Sequence, residues 1–316
     1  MNLIVETDIG HDPDDLFALC YLIAAGVNIK ALLVHPGDPD QIAITKYICE
    51  VAGIKIPIGF DKFNRIKNSS GSIHHQLLGK RMEHLNKWGI GDGYSDDILN
   101  DEIREDTEFF VCGPVTTIGN YLENYPSSIK KATMQGGFLS YSAYNPKNKI
   151  EKFVGKYSMQ TFNLNGDIKA GKKFLSANIQ RRQMVGKNLC HSIIFQQDHL
   201  DRINPKCDTS KLFKRAAELY FTKHSNKKFH DPTAACLHLH PEIGEWFRGR
   251  TVRLNTSSGW GEKLAKSEKY DDYLEYISLN QDIRSDGWGT IPDPNGDYIA
   301  ANIDEDKLWD HLFNFN

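Results

Sequence analysis

Leu3-Ile4-Val5-Glu6-Thr7-Asp8-Ile9-Gly10-His11-Asp12-Pro13-Asp14-Asp15-Leu16-Phe17-Ala18-Leu19 is the stretch from which the fold reads outward. An apolar, β-branched run predicts a strand, an acidic turn follows it at once, and the apolar residues beyond are spaced for a helix over about 14–25. Five carboxylates, those of Glu6, Asp8, Asp12, Asp14 and Asp15, crowd into ten residues. Such crowding is unfavourable unless a cation neutralises it. A carboxylate set at the carboxyl end of a strand suits calcium or magnesium, which prefer oxygen ligands, better than zinc. Gly10 lets the backbone turn tightly there. One of Asp12 and Asp14 also suits the cap of the helix, with Pro13 at an early helical position. Capping explains one carboxylate, not five.

Outward from this unit the alternation continues, with a strand at 29–34, a helix at about 41–52, and short strands at 56–58 and 109–112. Gly113-Pro114 marks the end of a strand before a helix that starts near Thr116. A strand over 131–134 stops at Gly136-Gly137, and helices follow at 167–175, 212–222 and about 233–239. Strands alternating with helices predict an α/β fold: an open, mostly parallel sheet with helices on both faces and a Rossmann-like core. Ligands of such sheets bind outside the carboxyl ends of the strands. Residues 1–316 read as a single domain, with a loop or insertion at about 257–290 that is rich in Gly, Ser and charge. The polar segment 140–158, with Tyr141, Tyr144, Lys147, Lys149, Lys152 and Lys156, reads as a solvated basic excursion; stacking a base or receiving a phosphate is the alternative.

With 40% hydrophobic residues in 316, the chain can bury a substantial core. Its 38 basic and 41 acidic residues are well mixed, so no overall field favours nucleic acid or anionic lipid. Charges interrupt the N-terminal apolar run too early for a signal peptide, and no window approaches the roughly 18 apolar residues of a membrane helix. A cytoplasmic protein is expected. The six cysteines, Cys20, Cys49, Cys112, Cys190, Cys207 and Cys236, form no C-x-x-C pair and read as reduced core residues.

Three later segments join the acidic loop: Gly113-Pro114-Val115-Thr116-Thr117-Ile118, Met134-Gln135-Gly136-Gly137, and Phe229-His230-Asp231-Pro232-Thr233-Ala234. Taken together and in this order, the four resemble the inosine-uridine preferring nucleoside hydrolase family. Its first strand ends in Asp-x-Asp-x-Gly followed by an Asp-Asp pair; here Glu6-Thr7-Asp8-Ile9-Gly10 precedes Asp14-Asp15, with two extra residues between. The resemblance implies a calcium-dependent hydrolase that cleaves the N-glycosidic bond of a natural or modified ribonucleoside and releases free base and ribose. It implies Ca2+ held by Asp8, Asp15, Asp231 and the Thr116 carbonyl, with Asp8 also the general base. Asp14 would accept a ribose hydroxyl, with Asp12 competing for that role, and Met134 would lie beside the sugar. His230 would protonate or hydrogen-bond the leaving base. A homo-oligomer, dimer or tetramer, acting on a small-molecule nucleoside is implied as well.

Two departures bear on substrate. Where the family has Glu-Phe-Asn, this chain has Thr161-Phe162-Asn163 preceded by Gln160, so Asn163 carries over and the glutamate does not. Where the family has Ala-Gly-Asn, Pro36-Gly37-Asp38 puts a carboxylate in place of an amide, which favours a ligand with extra donors. Trp260 and Trp288 are candidates to cover the base. Two other readings compete. A metal-dependent phosphohydrolase of the haloacid dehalogenase type also ends its first strand in Asp-x-Asp, but Glu6 stands where its aspartyl nucleophile belongs. A non-catalytic nucleoside- or ribosyl-binding protein is motivated by Thr161 and Asp38. Asp231 also suits a plain helix cap.

Overall fold

The computed structural model describes residues 1–10, 12–61, 72–125, 127–140, 150–154, 156, 158–254 and 287–314. His11, Trp260, Tyr141, Tyr144, Lys147, Lys149 and most of the expected insertion at 257–290 lie outside these residues.

Strand β1 (Asn2–Thr7) lies centrally, parallel to β2 (Asn28–Val34) on one side and to β5 (Thr107–Val111) on the other. The sheet extends through β3 (Ile58–Phe60) and β4 (Gly93–Tyr94) at one end. At the other it extends through β6 (Ile129–Gln135), β7 (Ile179–Val185) and β12 (Asp297–Ile303), all parallel neighbours. Strand β10 (Gly244–Leu254) runs antiparallel to both β12 and β11 (Gly287–Pro292). Among the described residues the order is β11-β10-β12-β7-β6-β5-β1-β2-β3-β4. A short antiparallel ribbon of β8 (Ile194–Gln196) and β9 (Asn226–Lys228) stands apart from it. The expected open, mostly parallel α/β sheet is the observed one.

The period of two along each strand sorts the core. Leu3 and Val5 of β1 and Phe110 of β5 pack on one face, with the helices Asp14–Ala24, Pro39–Ala52, Asp208–Phe221, His230–Leu239 and Glu305–Phe313. Ile4, Phe109 and Val111 point to the other, against Ile118, Leu122 and Phe174 from the helices Thr116–Leu122 and Ile168–Ser176. Burial on both faces is what the near-continuous apolar runs of a parallel sheet require. All six cysteines are unpaired thiols, five of them buried. Among the described residues no helix is long and apolar enough to cross a membrane.

The late Gly-rich region differs from expectation where it is described. Gly287–Pro292 is a strand, and Trp288 is 1% exposed in the core, close to Gly171, so it does not cover a ligand. The helix expected from about residue 233 begins at His230, with Phe229 as its N-cap. Asp231 is therefore within the first turn and is not the cap.

Candidate active site

A crevice of about 390 Å3 opens at the carboxyl ends of the central strands, a size usual for a small-molecule site. Asp8, Asp12, Asp14, Asp15, Asn163, His230 and Asp231 all line it. Residues more than two hundred positions apart meet there because the aromatic core behind them ties their segments together. Phe17, just after Asp15, and Phe229, just before Asp231, have ring centroids 5.6 Å apart. Phe213 and Phe195 extend the cluster, each 4.7 Å from one of those rings.

Local hydrogen bonds shape the acidic loop. Thr7 donates its hydroxyl to Asp15 Oδ1 at 2.6 Å and accepts the Ile9 N–H at 3.2 Å. Gln41 staples the loop from the next helix: its Nε2 donates to the carbonyls of Asp8 and His35, and its Oε1 accepts the N–H groups of Gly37 and Asp38. Gly10, at φ +143, has no room for a side chain, because a Cβ would come within 2.8 Å of Gln41 Cγ. At Gly113 a Cβ would stand 2.7 Å from the Asp8 nitrogen, so only glycine lets the end of β5 pass so close to the loop.

Glu6 belongs to a different structure. Its carboxylate accepts the N–H groups of Thr117 at 2.7 Å and Ile118 at 2.9 Å, capping the helix Thr116–Leu122, and burial pushes its carboxyl well above the usual range.

The remaining charges divide into two groups. Lys227 donates to Asp14 Oδ2 at 2.8 Å and reaches Asp12 Oδ1 at 3.0 Å, while His230 Nδ1 stands 3.0 Å from Asp14 Oδ2. Burial alone would raise Asp14, but Lys227 and His230 together hold it below the usual carboxylate range. Burial works against the Lys227 ammonium too, and the charges of Asp14 and Asp12 more than reverse that. Asp15 and Asp231 have no such relief. Burial first, then the charges of neighbouring aspartates, push both carboxyls well above the ordinary range. Asp14 Oδ1 is also buried without a hydrogen-bond partner. Buried, mutually repelling carboxylate oxygens are a donor set suited to a hard divalent cation. Elsewhere, His240, Glu242 and His311 bring one ligand atom each within 4.8 Å of one another, a spacing the crevice carboxylates do not reach as a set among the described residues. That cluster lies past the far end of the helix His230–Leu239, beside a separate hollow.

Four expected residues do not line the crevice. The Thr116 carbonyl accepts the Asn120 amide at 2.7 Å inside its helix; Cys112, at the end of β5, lines the crevice instead. Asp38 is the N-cap of Pro39–Ala52. Met134 is fully buried beneath Gly136. Gln160 is exposed, and its carbonyl accepts the Lys187 ammonium at 2.9 Å. Asn163 is well anchored, its Nδ2 donating to both the carbonyl and the Oε1 of Gln135 at 2.9 Å. Reading the sequence missed Lys227, Lys187, His191 and Cys112. A signal existed for Lys227, because alternation along Asn226-Lys227-Lys228 makes one lysine point inward beside the His-Asp pair. Lys187 and His191 follow a strand on the far side of the crevice and carried no local mark.

A family profile described as inosine-uridine preferring nucleoside hydrolase matches residues 3–310. An uncharacterized protein of Aquifex aeolicus (strain VF5) is 23% identical over 279 residues, 84% of this chain and 92% of that protein. Among solved structures, a plant nucleoside hydrolase superposes with a TM-score of 0.65 at 16% identity, covering 99% of this chain and 98% of its own. An inosine-uridine preferring nucleoside hydrolase from Bacillus anthracis gives 0.63 at 13% identity, with 99% and 98% covered.

Proposed function

The chain belongs to the inosine-uridine preferring nucleoside hydrolase family and is a hydrolase of N-glycosyl compounds, and from that premise we propose that it cleaves the N-glycosidic bond of a ribonucleoside in a calcium-dependent reaction. The observation that carries this reading is the meeting of Asp8, Asp15 and Asp231 in one crevice, two of them with ionisation suppressed by burial and by one another's charge. Asp8, Asp15 and Asp231 would hold the ion; the Thr116 carbonyl, engaged by Asn120, would not, and Cys112 is the residue after β5 that lines the crevice. A Ca2+ held there would supply positive charge that eases loss of a water's proton.

Asp8 accepts that proton as the water attacks the anomeric carbon, which passes through an oxocarbenium-like state. Asp14, kept ionised by Lys227 and His230, accepts a ribose hydroxyl, and Asp12 stands beside it on the same lysine. The anchored Asn163 offers its Oδ1 to a second hydroxyl. His230 gives its Nδ1 to Asp14, so Nε2 is the nitrogen that exchanges a proton with the departing base. The same reading makes the protein a cytoplasmic homo-oligomer acting on a small molecule, built as one domain.

The test is a nucleoside panel assayed for free base and reducing sugar, with calcium, with chelator, and with Asp8→Asn. Release in calcium should fall at least about a hundredfold in Asp8→Asn, the scale of a lost general base. Folded, calcium-loaded protein that releases neither base nor sugar from any nucleoside or nucleotide would overturn the reading; release of inorganic phosphate would support a phosphohydrolase in its place.

A further inference from the structure

The crevice has two electrical ends. Its carboxylates come from the loop after β1 and from the first turn of His230–Leu239. Its other end is built after β7, and there the His191 ring stands 5.2 Å, centroid to centroid, from that of His230, so it adjoins the place of the leaving base. Lys187 and His191 line that end together with Thr161. The Lys152 ammonium stands 2.6 Å from His191 Nδ1. An ammonium can only donate, so His191 accepts at Nδ1 and carries its proton at Nε2, as a donor. The Thr161 hydroxyl oxygen is buried without a hydrogen-bond partner, and the residue is 3% exposed, so a polar group waits at the wall of the site. The carboxylates that line the crevice come from the other two segments.

Donors and ammonium groups gathered in this way form a receptor for a compact anion. Resting on the ribosyl reading above, we propose that the substrate carries a phosphate on the ribose C5, received by Lys187, Thr161 and His191 with Lys152 behind them, so that the enzyme prefers ribonucleotides to nucleosides. The like charges at this end support the assignment. Burial, and then His230, Lys152, Lys228 and Lys187, push the His191 imidazole down to about 2, while burial and the charges of Lys228 and Lys187 lower Lys152. A phosphate dianion turns that repulsion into attraction.

Two measurements test the proposal. In the first, thermal stabilisation of the calcium-loaded protein is titrated with ribose 5-phosphate, ribose and inorganic phosphate. Ribose 5-phosphate should act at concentrations at least about tenfold lower than ribose, given the strength of a charge-assisted hydrogen bond, and Lys187→Glu should abolish the difference. Equal action of ribose and ribose 5-phosphate overturns the proposal; so does inorganic phosphate alone matching ribose 5-phosphate, which would mark a site for the free anion. In the second, the ratio of kcat/KM for a nucleoside 5′-monophosphate to that for its nucleoside should exceed one and fall roughly 10- to 100-fold in Lys187→Glu. Thr161→Val, nearly the same shape without the hydroxyl, should lower the ratio in the same direction, and an unchanged ratio in both folded variants overturns the proposal. Tight ribose 5-phosphate binding without base release from any substrate would sink the hydrolase reading and leave the phosphate receptor standing.

Discussion

Lys227 decides how much negative charge the acidic loop can carry. Its side chain is 6% exposed and touches two aspartates, so it is the cation that keeps Asp14 ionised in a buried site. Removing one partner of a buried pair leaves an uncompensated charge and costs about 3–5 kcal/mol. Lys227→Met should therefore lower the urea midpoint sharply, and adding Asp14→Asn should recover most of the loss; additive losses in the double variant would contradict the pairing. Single residues were unevenly legible. Asp8, Asp14, Asp15, Asn163, His230 and Asp231 were marked by motif and do meet at the crevice. Thr116, Asp38, Met134 and Gln160 were marked by position within a motif but do not line it. Sequence order does not say which way a carbonyl or a side chain turns once a helix or a cap has claimed it.

Elements account for the carboxylate that does not join the crevice. Along β1, Glu6 shares its parity with Ile4, which faces the layer containing the helix Thr116–Leu122, and its carboxylate caps that helix. The crowded loop read as one cluster of five carboxylates around a cation, with one of Asp12 and Asp14 suited to a cap, whereas strand parity separates Glu6 from the rest. Glu6→Ala would orphan two buried N–H groups at about 1–3 kcal/mol each, and should be seen as a lower unfolding midpoint at unchanged m-value. A midpoint within error of the wild type would mean that those donors find another acceptor. The strand and helix pattern itself was readable because both faces of the sheet are covered, which makes its strands apolar runs bounded by glycine. Strand β11, with Gly287 and Gly289 in its sequence, read as part of an insertion because pairing with β10, not composition, makes it a strand.

On the scale of the molecule, the crevice joins segments far apart along the chain, so an ion there would act as a tertiary cross-link. Asp15 and Asp231 have raised carboxyls when folded, so between the ordinary carboxylate range near pH 4 and those raised values the folded state binds more protons than the unfolded one. Stability from these two groups is then complete below that window, declines as pH rises through it, and is flat above. Calcium competes with those protons, so the gap in Tm between calcium-loaded and chelated protein should widen from pH 5 to pH 7.5; a gap that is constant or narrows would contradict the site. The amino-acid sequence by itself determined the α/β class, the acidic loop after the first strand and the His-Asp motif that answers it, because each depends on local periodicity and on charge crowding between near neighbours. Only the tertiary structure decided that Glu6 turns away, that Lys227 neutralises Asp14, and that Lys187 and His191 join the crevice from beyond β7. Those pairings are made through space by a folded sheet and its aromatic core, and no separation along the chain encodes them.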